Sequence, residues 1–191
     1  MEKTEMAVAY ARRLFAGDAS GHDLAHSLRV WHNAELIAVD EPSCDAEVVA
    51  LAAILHDVDD HKLFQTTNNA NARAFLGEIG VDPERIELIC EAISSVSFSQ
   101  NRGRKPRTIE GLIVQDADRL DAIGAIGVAR TFAYGGAHGR SLESSVQHFH
   151  DKLLLLASEM NTETGRRLAE SRHAFLLAFL RELEDEVGHT L

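Results

Sequence analysis

Cysteine, proline and aromatic residues are all sparse in this chain of 191 residues, at two, three and 6% respectively. Cys44 and Cys90 lie far apart, so they form neither a closely spaced metal-binding pair nor a disulfide framework. Reduced thiols in a cytoplasmic protein are therefore expected. Pro42, Pro83 and Pro106 each sit where a helix could open or where a loop is expected. No segment alternates apolar and polar residues between hairpin turns, which argues against a sheet protein. No apolar stretch has the length to span a bilayer, and the longest, Val48 to Leu55, fits a core helix. The start, Met1 to Glu5, has no apolar run behind a basic segment, so no signal peptide is expected. Basic residues are outnumbered, 19 Lys and Arg against 30 Asp and Glu, for a formal net charge of −11. That argues against binding a nucleic-acid polymer, which needs a basic surface. A small anion needs only a metal and a few local cations.

What is present is helical periodicity nearly throughout, with 45% hydrophobic and 26% charged residues. The pattern predicts helices over about 2–16, 22–39, 45–57, 68–80, 83–95, 108–134, 141–160 and 162–187. Asp45 is expected to cap the third, Pro83 to open the fifth, and Gly135-Gly136 to stop the sixth. Asn161 is a candidate cap for the last. The expectation is an all-α bundle of about eight helices in one domain, residues 1–191, with a core region at 20–135 and helices 141–187 packing on it.

The chemistry begins at His56-Asp57. The pair closes an unbroken apolar run, Val48-Val49-Ala50-Leu51-Ala52-Ala53-Ile54-Leu55. A helix apolar on every side is buried, and an ionised carboxylate beside it is costly unless neutralised. Imidazole and carboxylate together point to a divalent cation. Adjacent helical residues point about 100° apart, so both can face one ion only at a helix terminus. Asp60 lies three after Asp57 and faces the same way if the helix continues. His22, His26, Arg29 and Asn33 follow spacings of four, three and four, which set them on one stripe of the second helix. Asp118 and Asp121 share a face of the sixth helix, between apolar flanks; buried aspartates need partners. A structural ion pair of Arg119 with Asp116 or Asp121 is one expected solution, and a metal at Asp118 the other. Arg102-Gly103-Arg104-Lys105-Pro106-Arg107 reads as a solvated basic loop.

The order His26, His56-Asp57, Asp118 resembles the HD-domain superfamily of metal-dependent phosphohydrolases. The flanks match too: Ser27-Leu28-Arg29-Val30, Ala53-Ile54-Leu55, and Gln115 to Gly124. So do Phe132 to Gly136, His148 to Leu154 and Met160 to Glu163. The likeness covers residues 20–185 and looks closest to a stand-alone bacterial branch related to nucleotide pyrophosphohydrolases. It implies that His26, His56, Asp57 and Asp118 hold one divalent ion, whether Mn, Ni, Co, Fe, Mg or Zn. It implies Asp60 as general base, in the place of a Glu in some relatives. Arg29, Lys62, Arg119, His22 and Lys152 are the implied substrate contacts. Ser94 and Ser95 stand where many relatives have histidines, which favours one metal over two. The expected substrate is a small phosphorylated metabolite, a nucleoside triphosphate before a monophosphate. The rival is a non-catalytic metal- or nucleotide-binding module. No membrane partner is expected, and a homodimer is left open.

Overall fold

The computed structural model describes residues 2–16, 23–61, 63–97, 101 and 104–188. All its regular structure is helical: α1 (Lys3–Leu14), α2 (Leu24–Ala38), α3 (Ala46–Leu55), α4 (Ala70–Glu78), α5 (Pro83–Val96), α6 (Ile109–Asp121) and α7 (Gly124–Ala137). Then come α8 (Leu142–His148), a π turn (Phe149–Leu153), α9 (Leu154–Leu156), a 3₁₀ turn (Ala157–Glu159) and α10 (Glu163–Val187). The chain divides into two compact units, residues 1–118 and 119–191.

In the first unit α3 is the central helix. Every residue from Val48 to Leu55 is buried, and α1, α2 and α5 pack around it. Each fully buried Leu or Ile there contributes roughly 1.5–3 kcal/mol of transfer free energy. The start of α3 is fixed by Asp45, whose carboxylate accepts from the N–H groups of Glu47 and Val48. Arg85 of α5 pairs with Asp45 and Glu47 and holds that end. α4 begins later than its pattern predicts, because Asn68 and Asn69 take left-handed backbone (φ 56° and 53°). Asparagine tolerates that conformation better than most residues.

In the second unit α7 packs on α8 and α10. Phe132, Phe149 and Phe179 form its aromatic core, with centroids 5.8–5.9 Å apart. The single helix expected over 108–134 is broken at Ala122-Ile123. Ile123 is extended (φ −123°, ψ 171°) and Gly124 turns left-handed at φ +74°. Gly127 lets the Ala122 carbonyl lie against the first turn of α7: a Cβ there would meet that oxygen at 2.3 Å. The helix also runs through Gly135-Gly136 and ends at Ala137, with Gly139 in the left-handed turn beyond (φ +64°). α10 is capped by Thr162, whose hydroxyl accepts from Gly165 N–H at 3.0 Å, in place of the expected Asn161.

Candidate metal centre

His26 sits in the first turn of α2. The Asp23 side chain caps that helix and accepts from the His26 backbone N–H at 2.8 Å, so the ligand-bearing turn is anchored at its first residues. α3 ends at Leu55, two residues before its expected limit. The chain leaves it in tight turns, Val58 N–H to Leu55 O (3.2 Å) and Asp60 N–H to Asp57 O (3.0 Å). That early exit lets His56 and Asp57 converge: His56 Nε2 stands 3.3 Å from Asp57 Oδ2.

His26 Nε2 lies 3.1 Å from His56 Nε2, 3.4 Å from Asp57 Oδ2 and 3.4 Å from Asp118 Oδ1. His56 Nε2 is 3.9 Å from Asp118 Oδ1. His26, His56 and Asp118 thus form a group of ligand atoms all within 4.8 Å of one another. Metal–ligand bonds of about 2.1 Å put neighbouring ligand atoms about 3.0 Å apart at right angles and about 3.4 Å apart at the tetrahedral angle. Four of these separations fall in that interval, and the fifth subtends a wider angle. His56 Nδ1 donates to the carbonyl of Ala53 at 2.9 Å. A carbonyl can only accept, so neutral His56 carries its lone pair on Nε2, toward the cluster.

The electrostatics agree. Burial pulls the His56 imidazole down, but the charge and hydrogen bond of Asp57, with the charge of Asp118, override it and push the group up to about 9. Burial raises the Asp118 carboxyl, yet the His26 hydrogen bond and the two histidines bring it below its ordinary value. His26, His56 and Asp57 are buried, and Asp118 keeps 27% of its side chain exposed. Two carboxylates and two imidazoles at ligand spacing are a place built to hold positive charge. The residues fit a divalent ion, with one side open.

Other site expectations fare differently. Asp60 is largely buried, with 18% of its side chain exposed, and stands outside the His26–His56–Asp118 group. Arg29 is half-buried on α2, one turn beyond His26. His22 and Lys62 lie outside the described residues, and Lys152 lies in the π turn of the second unit. Arg119 engages Glu159 of the same unit. It is buried, donates to the Glu159 carbonyl and lies 3.3 Å from the Glu159 carboxylate. Asp121 takes Arg130 instead. Residues 119 and 121 point some 200° apart on a helix, which disfavours that half of the expected pairing, whereas Asp116 lies only about 60° from Arg119. Ser94 Oγ accepts from Asn69 Nδ2 at 2.8 Å, and Ser95 Oγ donates to Ala92 O at 2.6 Å. Ser95 therefore serves its own helix, and Ser94 ties α5 to the start of α4.

One positioning residue was on the stripe without being given a role. Buried Asn33 donates to the carbonyl of Ala117 at 3.2 Å, fixing α6 against α2 one residue before Asp118. Gln115 likewise donates to Ser95 O at 2.7 Å, fixing α6 against α5. The seven-residue spacing from His26 was the available signal for Asn33.

The HD-domain family model matches residues 23–123, which hold all four cluster residues. The chain belongs to the HD-domain family. This HD-domain chain is 39% identical to the Bacillus subtilis protein YpgQ, over 98% of its own length and 95% of YpgQ. The crystal structure of YpgQ in complex with ADP matches it with a TM-score of 0.83 at 37% identity, covering 96% of this chain and 97% of that one. An HD-superfamily hydrolase from Bacillus thuringiensis matches with a TM-score of 0.81 at 35% identity, over 97% of both chains. The protein is a metal-dependent phosphohydrolase of the HD superfamily. No helix among the described residues is long and apolar enough to cross a membrane.

Proposed function

We propose that this HD-domain chain hydrolyses nucleoside triphosphates to monophosphate and pyrophosphate, with one divalent ion held by His26, His56, Asp57 and Asp118. The observation that carries the reading is the set of ligand-edge separations, 3.1 to 3.4 Å, among four groups from α2, the end of α3 and α6. The nucleotide is supported by ADP in the crystal structure of YpgQ. The single ion is supported by Ser94 and Ser95, hydroxyls engaged with Asn69 and with the Ala92 carbonyl where many relatives have histidines.

When bound, the ion supplies charge opposite the phosphate oxygens and lowers the pKa of water. The protein's own groups do the rest. His56 is held in one tautomer by the Ala53 carbonyl, so its lone pair is preorganised. Asp60, in the turn directly after the cluster, accepts the proton of the attacking water. Water oxygen bonds to the α-phosphorus, the α–β bridging bond breaks, and pyrophosphate leaves. Arg29, with His22 and Lys62 on the flanking segments, neutralises phosphate oxygens as charge develops. Arg119, held by the Glu159 carbonyl and carboxylate, is the further cation near Asp118 in sequence.

The test is incubation of purified protein with Mn²⁺ and a panel of nucleoside mono-, di- and triphosphates, with products resolved by phosphorus NMR. Pyrophosphate with monophosphate is the expected result. Inorganic phosphate from monophosphates alone would shift the reading to a phosphatase. No product with any of several divalent ions would leave a binding module.

A further inference from the structure

The turn after α3 holds a third acid beside Asp57 and Asp60. Asp59 stands outside the ligand group, and its carboxylate is engaged by α4. Oδ1 accepts from the backbone N–H of Asn71 at 2.9 Å, and Oδ2 from that of Ala72 at 3.0 Å. The first N–H groups of a helix have no partner within it, and the side chain of the capping residue normally supplies one. In α4 that residue is Asn69, which is left-handed and makes no side-chain cap. Its amide donates instead to Cys90 O at 3.1 Å and to Ser94 Oγ at 2.8 Å, both on α5. Asp59 therefore caps α4 from the turn that follows the metal ligands. The partial positive charge of a helix start suits a carboxylate there.

α4 returns the contact. Asn71 Nδ2 donates to Val58 O at 2.7 Å, and Val58 is the buried residue between Asp57 and Asp59. The turn's own bonds use the N–H groups of Val58 and Asp60. The contacts with α4 fix what those bonds leave, the Val58 carbonyl and the Asp59 carboxylate. α4 is itself anchored at this end. The Arg73 guanidinium forms a two-pronged pair with Glu87 of α5, and Arg73 Nε donates to Asn68 O at 2.9 Å. Phe75 stacks on Tyr10 of α1, with centroids 4.4 Å apart and rings 15° from parallel. A helix held on α1 and α5 is a firm support for a turn that has left α3. Asp57 Oδ2 stands 3.3 Å from His56 Nε2 and 3.4 Å from His26 Nε2. Metal–ligand distances hold to about 0.2 Å, so a turn free to shift would bind an ion poorly.

We propose that Asp59 and Asn71 are positioning residues for the metal centre. Their clasp between the turn and the start of α4 holds Asp57 at ligand distance from the two histidines. The inference rests on the ligand set proposed above.

The experiment is electron paramagnetic resonance titration of full-length protein with Mn²⁺, with thermal midpoints measured on the same samples. Asp59→Ala removes both bonds to the helix start. Asn71→Ala removes the return bond, keeps the backbone N–H and puts a better helix former into α4. Each should weaken Mn²⁺ binding by about 10-fold, the lower end of the range for groups that orient a ligand from behind. Asp59→Asn keeps one acceptor and should recover part of the loss. The double alanine variant should lose less than the product of the two single losses, because both act through one clasp. Ile37→Val, a buried change near the end of α2, should lower the midpoint and leave the affinity unchanged. Wild-type affinity in Asp57→Asn would overturn the ligand set and the clasp with it. The clasp alone is overturned if Asp57→Asn loses the ion while both alanine variants bind as wild type, or if Ile37→Val weakens binding as much as they do.

Discussion

Stripping the metal is the perturbation with the clearest arithmetic. The four ligand groups come from α2, the end of α3 and α6, so an ion there holds together three segments that are far apart in the unfolded chain. Binding to the folded state alone stabilises by about 2.7 kcal/mol when free metal is one hundred times its dissociation constant. One kcal/mol moves the midpoint of a chain this size by roughly 2–4 °C, so the expected gain is about 5–11 °C. The metal-free fold is expected to survive, because His56 held up to about 9 carries a proton beside Asp57 and Asp118 that softens their repulsion. The sign of that contribution follows from the folded value, about 9, lying above the ordinary 6.5. The stabilisation is fully present below about pH 6.5 and is lost as pH rises through about 9. Metal must displace that proton, so the shift at fixed free Mn²⁺ should grow between pH 7 and 9.5, while the metal-free midpoint falls. Differential scanning fluorimetry of EDTA-treated protein with buffered Mn²⁺ measures both. An absent shift at every pH, or an equal shift in Asp57→Asn, would refute the assigned ligand set.

Three further outcomes can be checked. Asn33→Ala should lower stability by about 1–3 kcal/mol, the cost of breaking a buried hydrogen bond. It should also weaken Mn²⁺ binding several-fold by electron paramagnetic resonance titration, and unchanged affinity would reduce Asn33 to a packing residue. Gly127→Ala places a Cβ 2.3 Å from the Ala122 carbonyl oxygen. Such overpacking costs about 1–3 kcal/mol. By contrast, Gly77→Ala, with nothing within 4 Å, should gain roughly 0.5–1 kcal/mol from helix propensity; equal midpoints for the two variants would contradict the close approach. Cys90 is 1% exposed, and burial pushes its thiol up to about 11. At pH 8 only about one molecule in a thousand carries the reactive thiolate, so Cys44→Ser should show no fast thiol toward Ellman's reagent until it is denatured.

Periodicity shows which residues share a face of one helix, and only packing shows which faces meet. The apolar run from Val48 to Leu55 identified α3 as central because no face of it tolerates water. The same run made His56-Asp57 conspicuous, since charge beside such a helix needs an explanation. The break between α6 and α7 was hidden for the opposite reason. Asp121-Ala122-Ile123-Gly124-Ala125 continues the apolar spacing of both neighbours, and a lone glycine in that context does not announce a left-handed turn. The contact of Arg119 with Glu159 could not be read, because Glu159 lies 40 residues away, beyond any local rule. Asn33 failed in between: spacing put it on the His26 stripe, yet its partner is a backbone carbonyl, and every residue has one of those. What a sequence encodes most openly is therefore the costly chemistry, buried charge that demands a counterion. The hydrogen bonds that aim it, from Asn33 to Ala117 and from His56 to Ala53, use groups too common to stand out.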